Sequence, residues 1–377
     1  MGLRLPSWLS TQGLQVSIML ILFDNVIFEL QKAGGISVYW SELISRHQMG
    51  RALFFGRNNE NIFNSEIVLY REMYPFCFPR RYLPFWADAK SIPQERHVFH
   101  SSYLRYSRNP NSINVTTVHD FTYEHFISGP RLWLHAWQKR TAVKNSRGVI
   151  CVSENTKKDL LNFYPWLEPS EVKVIYNGVS DAFFPIESSV THLRDFLGFC
   201  PDKPYLLFVG DRSPYKNFDA FVGLAEYFPD MALVVVGGKP FSKKESQRMK
   251  PLDSRLYHFR GVSSEVLNHL YNAASCLVYP SSYEGFGIPV LEAMKAGCPV
   301  IATNASSIPE VAGNAALLVN EPTPESLAVE IRRLEDPIFK LELVEKGFAQ
   351  AAKFSWDKCF EETYAFYQEL WNKELNN

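Results

Sequence analysis

Paired cysteines are missing from this sequence. Its six cysteines, Cys77, Cys151, Cys200, Cys276, Cys298 and Cys359, form no CxxC unit, and several sit inside apolar runs. That favours reduced, mostly buried thiols in a cytoplasmic protein over a disulfide framework or a zinc site. Neither GxGxxG nor GxxxxGK[ST] occurs, so a bound nucleotide would have to be held by some other loop. Charge of either sign is in no excess. Lys plus Arg number 39 against 40 for Asp plus Glu, a net charge of -1, and nothing at whole-chain level points to nucleic acid. A basic cleft for small anions remains open. Long apolar runs are also lacking: Val16 to Phe23 ends at Asp24, too short for a bilayer and without a small-residue cleavage pattern after it. It reads as a first buried strand, with Met19 an alternative start and residues 1–18 a loose tail. No low-complexity tract and no short repeat is found.

What is present is a chain of 377 residues, 46% hydrophobic and 21% charged, too long for one ordinary core and suited to two domains. Short apolar strands alternate with helical segments almost throughout, the pattern of parallel sheets covered by helices. In the first half, "SIMLILFDN", "RALFFGR", "HVFHSS", "NVTTVHD", "RGVICVS" and "VKVIYNGV" read as strands. In the second half, "YLLFVGD", "ALVVVGG", "LYHFRGV", "SCLVYPS", "CPVIATN" and "AALLV" do so. Residues 184–203 are irregular and proline-containing and read as a linker. The expected organisation is α/β: a tail over 1–18, a Rossmann-like domain over 19–183, the linker, a second Rossmann-like domain over 204–355, and an amphipathic helix over 356–377 that packs back on the first domain.

The chemistry concentrates in "YPSSYEGFGIPVLEAMKAG", residues 279–297. A strand ends, a glycine turn carries Glu284, and Pro289 can open a helix that stops at Gly297. Gly285 and Gly287 let backbone amides approach a ligand, and the helix dipole favours oxygen-rich or anionic groups. Glu292 is expected in the first turn of that helix, where the bland reading is that it only steadies the helix end. For Glu284 the bland reading is a solvated loop charge. A glycosidase pair would need its carboxyls within about 5 to 9.5 Å, whereas eight helical residues rise about 12 Å. It is easier to let each carboxylate hold hydroxyls at a different part of one long ligand. In "FVGDRSPYKNFDAF", the strand ends at Gly210 and Arg212 and Lys216 follow, a fork and a point charge suited to a diphosphate, or else two ordinary loop cations. Gly34 and Gly35 precede the helix "ISVYWSELISR", either to open backbone amides to a ligand or as a plain turn. His119 and Asp120 follow "NVTTV", placed to touch sugar hydroxyls or, on the bland reading, as a structural pair.

These segments, together with "AGGISVYWSEL", "FHSSY", "ICVSENTKKDL", "SSIPEVAGNAALLV" and "FSWDKC", resemble the retaining glycosyltransferases of family 4, which have the GT-B fold. The resemblance runs from about residue 19 to the end, and its most specific element is the E-x7-E segment with EGFG and a following PEV. It implies two Rossmann-like domains facing a deep cleft. The second would bind a nucleotide-diphosphate sugar, and the first would take most of a glycan or lipid-linked glycan acceptor. It implies that Arg212 and Lys216 neutralise the donor diphosphate and that Glu284 holds the donor sugar with the amides of Gly285, Phe286 and Gly287. Glu292 would bind the ribose, His119 the transferred sugar, and Gly34 and Gly35 the phosphates. From the residues themselves, Asp120 can accept from a hydroxyl and Gly210 ends the strand that leads into the donor loop. Asn314 stands where the family often has Asp. No DxD occurs, in keeping with a family that usually needs no bound metal, and no cofactor is expected. The lean is toward mannosyl or rhamnosyl transfer in bacterial surface-polysaccharide synthesis.

Two segments, 70–90 and 129–140, mix aromatics with arginines. They read either as a surface resting on the inner face of the plasma membrane or as an aromatic core with a basic edge. Rival functions are a glycosyltransferase-like scaffold that has lost turnover, and an epimerase or phosphorylase on the same fold. The first is disfavoured because Arg212, Lys216, Glu284 and Glu292 are all present, the second by the E-x7-E loop.

Overall fold

The structure, a computed structural model, describes residues 19–32, 34–47, 52–55, 61, 82–84, 95–187, 193 and 203–375. The expected tail over 1–18, most of 70–90, most of the linker, and Cys77 and Cys200 lie outside the described residues.

Two six-stranded parallel sheets organise the described residues. The first holds β1 (Ile21–Asp24), β2 (Ala52–Phe55), β3 (His97–His100), β4 (Ser112–Val118), β5 (Gly148–Cys151) and β6 (Val172–Val174), in the order β2-β1-β3-β4-β5-β6. The second holds β7 (Tyr205–Val209), β8 (Ala232–Val236), β9 (Leu256–Phe259), β10 (Cys276–Tyr279), β11 (Val300–Thr303) and β12 (Leu317–Val319), in the order β12-β11-β10-β7-β8-β9. Each is a segment that the apolar pattern marks as a strand. Parallel strands covered on both faces read as apolar runs, as β7, β8 and β10 do, whereas β3, β4, β6 and β9 interleave polar residues.

Side chains leave a strand alternately to opposite faces, and the second sheet shows it. Tyr205 and Leu207 join Leu277 and Ala302 under the helices Ser264–Ala273 and Ile288–Lys295. Leu206 and Phe208 join Val278 and Ile301 under Phe218–Tyr227 and Pro324–Arg333. In the first domain the helix Gly35–Ser45 buries Tyr39, Trp40, Leu43 and Ile44 against β1, β3 and β4.

The last helix, Trp356–Leu375, crosses back to the first sheet as expected and buries Trp356, Cys359, Phe366, Tyr367, Leu370 and Trp371 there. Backbones touch at its entry: a Cβ on Gly178 would lie 2.2 Å from the Trp356 nitrogen. Cys151, Cys276, Cys298 and Cys359 are free and buried, and burial pushes the thiols of Cys298 and Cys359 up to about 12.

Among the described residues, no helix is long and apolar enough to cross a membrane.

Candidate active site at the meeting of the two sheets

In the second sheet the chain runs outward from β7 to β8 and β9, then returns to lay β10 on the other side of β7. The loops leaving β7 and β10 therefore diverge and open a crevice at their carboxyl ends, the place where α/β sheets bind ligands. Arg212 and Lys216 come from the β7 loop and Glu284 from the β10 loop, so the strand order brings together residues far apart in the chain. The two loops are tied by Ser282 N donating to Tyr215 O at 2.7 Å and by Asn217 Nδ2 donating to Pro280 O at 2.8 Å and Ser282 Oγ at 2.7 Å.

Lys216 Nζ lies 2.5 Å from Glu284 Oε1, with the two side chains 11% and 13% exposed. Glu284 is thus no solvated loop charge. Its backbone is pinned as well: Ser306 Oγ and Ser307 Oγ donate to its carbonyl at 2.6 and 2.9 Å. Arg212 is oriented differently. Its Nε donates to Glu245 at 2.9 Å, and its guanidinium stacks 4.4 Å from the Phe241 ring. It borders a cavity of about 460 Å³ lined by Arg212, Ser213, Asn217, Ser242, Glu245 and Arg248.

Gly287 caps the helix Ile288–Lys295 with φ +103° and no side-chain cap, so no side-chain oxygen occupies the amides at that N-terminus. Glu292 departs from expectation. It is the fifth residue of this helix, beyond the first turn, which contains no acidic residue. The helix-dipole explanation therefore does not hold. Its carboxylate accepts from Tyr271 OH at 3.0 Å, and burial pushes its pKa up to about 7 despite that hydrogen bond.

The first domain meets this edge directly. A Cβ on Gly285 would stand 1.9 Å from the His119 carbonyl oxygen, so only glycine permits the approach. Ser153 Oγ and Thr156 Oγ1 donate to the Gly285 carbonyl at 2.7 and 3.1 Å. Gly34 caps the helix Gly35–Ser45, and a Cβ on Gly35 would lie 3.8 Å from Ile288, which places this turn over the uncapped helix start.

His119 packs edge-on against Tyr39 at 4.9 Å, and its Nε2 is buried with no hydrogen-bond partner among the described residues. Burial, opposed by the Asp120 carboxylate and reinforced by the Lys139 ammonium, brings its pKa down to about 4, so the ring is neutral. Burial opposes ionisation of Asp120, but Lys139 and the Thr122 amide (2.9 Å) outweigh it and hold the carboxyl below its usual range. A cavity of about 40 Å³ lies beside them, lined in part by Ile36, Ser102, His135 and Lys139.

The sequence reading named one member of several pairs and missed the other. Lys139 bonds the Asp120 carbonyl and Glu124, both at 2.8 Å. Its signal was a lysine on the apolar side of a helix. Tyr271 carried no signal. Glu245 did: Ser242 and Glu245 form a capping box, readable as S-x-x-E. Among the described residues no group of three or more His, Cys, Asp or Glu side chains is arranged to hold a metal.

Comparison with known proteins agrees with this architecture. Residues 33–183 match the family model described as Glycosyltransferase Family 4, and residues 190–347 the model described as Glycosyl transferases group 1. O-antigen chain mannosyltransferase B of Escherichia coli is 32% identical over 175 residues, 44% of this chain and 46% of that protein. The alpha-maltose-1-phosphate synthase of Mycolicibacterium smegmatis is 30% identical over 256 residues, 62% of this chain and 66% of that protein. The matches thus span about half to two thirds of these relatives' own length. The Anabaena Alr3699/HepE structure in complex with UDP-glucose superposes with a TM-score of 0.75 at 19% identity, covering 93% of this chain and all of that one, a likeness of fold.

Proposed function

The chain belongs to the family 4 glycosyltransferases of GT-B fold, and from that premise we propose that it moves a hexose from a nucleotide-diphosphate sugar to a hydroxyl of a glycan or lipid-linked glycan, with retention at the anomeric carbon. The observation that carries this reading is the Lys216–Glu284 pair at the crevice between β7 and β10, capped by the first domain at Gly285.

The chemistry follows from where charge develops. Breaking the anomeric C–O bond leaves negative charge on the diphosphate and positive charge on the sugar ring. Lys216, with Arg212 and the amides at the Ile288–Lys295 helix start, stabilises the first. Removing one such donor typically costs on the order of 3 kcal/mol of transition-state stabilisation. Glu284 exchanges part of its contact with Lys216 for sugar hydroxyls. Glu292, with its Tyr271 partner, takes the ribose diol. His119 is neutral, so its unpartnered Nε2 can hydrogen-bond the transferred sugar without adding a cation beside the ring. Gly34 and Gly35 close over the phosphates, and Asp120, kept ionised, accepts from a hydroxyl. In attack from the leaving-group face, the departing phosphate oxygen takes the acceptor's proton as the new glycosidic bond forms. The two cations at the diphosphate carry the charge a metal would otherwise offset, so turnover should persist in chelator.

A mannosyl donor is favoured by the likeness to the E. coli mannosyltransferase, and a deoxysugar such as rhamnose is the second candidate. The acceptor side carries a matching feature. The helix Pro130–Lys144 exposes Trp133 (72%) and Trp137 (53%), with Arg131, Arg140 and Lys144 and no acidic residue. Such a face suits an anionic membrane surface that presents a lipid-linked acceptor. Anionic vesicles should sediment the protein at low salt, and Trp133→Ser with Trp137→Ser should leave it in the supernatant.

Incubation with a panel of nucleotide sugars, with and without acceptor, should release nucleoside diphosphate for one of them. Glu284→Gln should abolish release while the melting temperature stays within a few degrees. Undiminished transfer in that variant would remove the assignment.

A further inference from the structure

The Arg212 side chain is 7% exposed, and three of its faces are engaged. Nε donates to Glu245 Oε1 at 2.9 Å. Nη2 donates to the Lys239 carbonyl at 2.9 Å and reaches the Pro240 carbonyl at 3.4 Å. The Phe241 ring covers the guanidinium plane. Nη1 is different: it is buried and has no hydrogen-bond partner among the described residues. It lies over the Gly237–Gly238 turn at the end of β8, where a Cβ on Gly238 (φ +70°) would come within 2.9 Å of it. A buried guanidinium nitrogen with unspent N–H groups at the ligand-binding rim of a sheet leaves a donor unsatisfied until an acceptor arrives.

Glu245 is held in turn. Its Oε2 accepts from Ser242 N at 2.7 Å, and its own amide donates to Ser242 Oγ at 3.3 Å, the reciprocal cap of the helix Lys243–Met249. The carboxylate therefore has one oxygen for the helix cap and the other for Arg212.

We propose that Glu245 is a positioning residue for the diphosphate step: anchored by the helix cap, it fixes the Arg212 guanidinium with its Nη1 edge reserved for a phosphate oxygen. The inference rests on the proposed binding of a nucleotide diphosphate at this rim. Arg212 is a long, flexible side chain whose fork is effective only in one orientation. Held by Glu245, two carbonyls and an aromatic face, it loses little further freedom when the diphosphate binds. Glu245 never touches the ligand. Its ionisation supports the role: the Arg212 hydrogen bond, with those from Ser242, brings its pKa down to about 2, so the anchor keeps its charge at any working pH.

The test is a double-mutant cycle on the full chain with Arg212→Ala, Glu245→Ala and the double variant. Calorimetry measures binding of GDP, UDP, dTDP and ADP and of the matching nucleosides. Glu245→Ala should weaken the preferred diphosphate about tenfold or more, the scale of a misplaced catalytic group. It should leave the nucleoside unchanged and add nothing in the Arg212→Ala background. Glu245→Gln, which keeps an acceptor but not the charge, should fall between. Glu245→Ala that leaves diphosphate binding unchanged, or weakens it equally without Arg212, would overturn the proposal. Failure of the site reading looks different: none of the four diphosphates binds the wild type, or Arg212→Ala binds them as the wild type does.

Discussion

A single carboxylate, Glu292, shows how burial rewrites a residue's meaning. Read from sequence it is an acidic residue near a helix start. In the structure it sits a turn deeper, against Tyr271, with its pKa pushed up to about 7. The sign of its effect on stability follows. Between the unfolded value near 4.5 and the folded value near 7, the native state binds more protons than the unfolded one. Stability therefore falls as pH rises through that window and levels off above it, by roughly 3 kcal/mol at most. Glu292→Gln should remove this component. Urea unfolding of wild type and variant at pH 5 and pH 8 checks it: the gap between them should favour the variant at pH 8 and narrow at pH 5. An identical pH dependence in both would mean that the burial of Glu292 has no such consequence.

At the scale of elements, helix ends do the joining. The helix Glu154–Phe163 belongs to the first domain and has its own Ser153 cap. Its first amides, Glu154 N and Asn155 N, donate at 2.9 and 3.0 Å to Glu310, which follows β11 in the second domain. Tyr176 OH adds a third contact at 3.2 Å. A carboxylate there satisfies orphan amides and meets the positive end of the helix dipole. The PEV glutamate is therefore a cap supplied across the domain boundary, beside the Gly285–His119 approach. Glu310→Ala should cost about 1 kcal/mol, as loss of a cap does. Its larger effect should be on domain closure: a greater radius of gyration by small-angle scattering and a fall of about tenfold or more in turnover, as misplacement of reacting groups produces. Unchanged scattering together with unchanged turnover would assign Glu310 a local role only.

For the whole molecule, the last helix is the second domain's sequence serving the first domain's core. Trp356, Phe366, Tyr367, Leu370 and Trp371 are buried among β1, β3, β4 and the Gly35–Ser45 helix, and Tyr367 OH lies 2.5 Å from His100 Nδ1. Five such side chains at about 1.5–3 kcal/mol each rival the 5–15 kcal/mol of a typical domain. A chain ending at Ser355 should therefore lose the fold of its first domain while the second keeps a cooperative melt. Limited proteolysis and circular dichroism check this: early cuts should fall within residues 95–175 in the shortened chain and not in the full one. Equal resistance in both chains would show that the helix is dispensable.

The amino-acid order alone marked the twelve strands found among the described residues, because parallel strands covered by helices are mostly apolar between polar turns. It also marked the glycine turns and the loops bearing Arg212, Lys216, Glu284 and His119, because a chain leaving a strand's carboxyl end needs small or polar residues there. The Ser242–Glu245 cap was missed, although its S-x-x-E spacing was there to be read, since capping is local. Only the tertiary structure decided which of these side chains meet. Lys216 finds Glu284 because β10 lies beside β7. Arg212 faces Glu245 because β8 lies on the other side, and Glu292 lies against Tyr271 because two helices cover one face. Partnership across dozens of residues depends on strand order, and strand order is set by how the whole chain packs rather than by any short stretch of it.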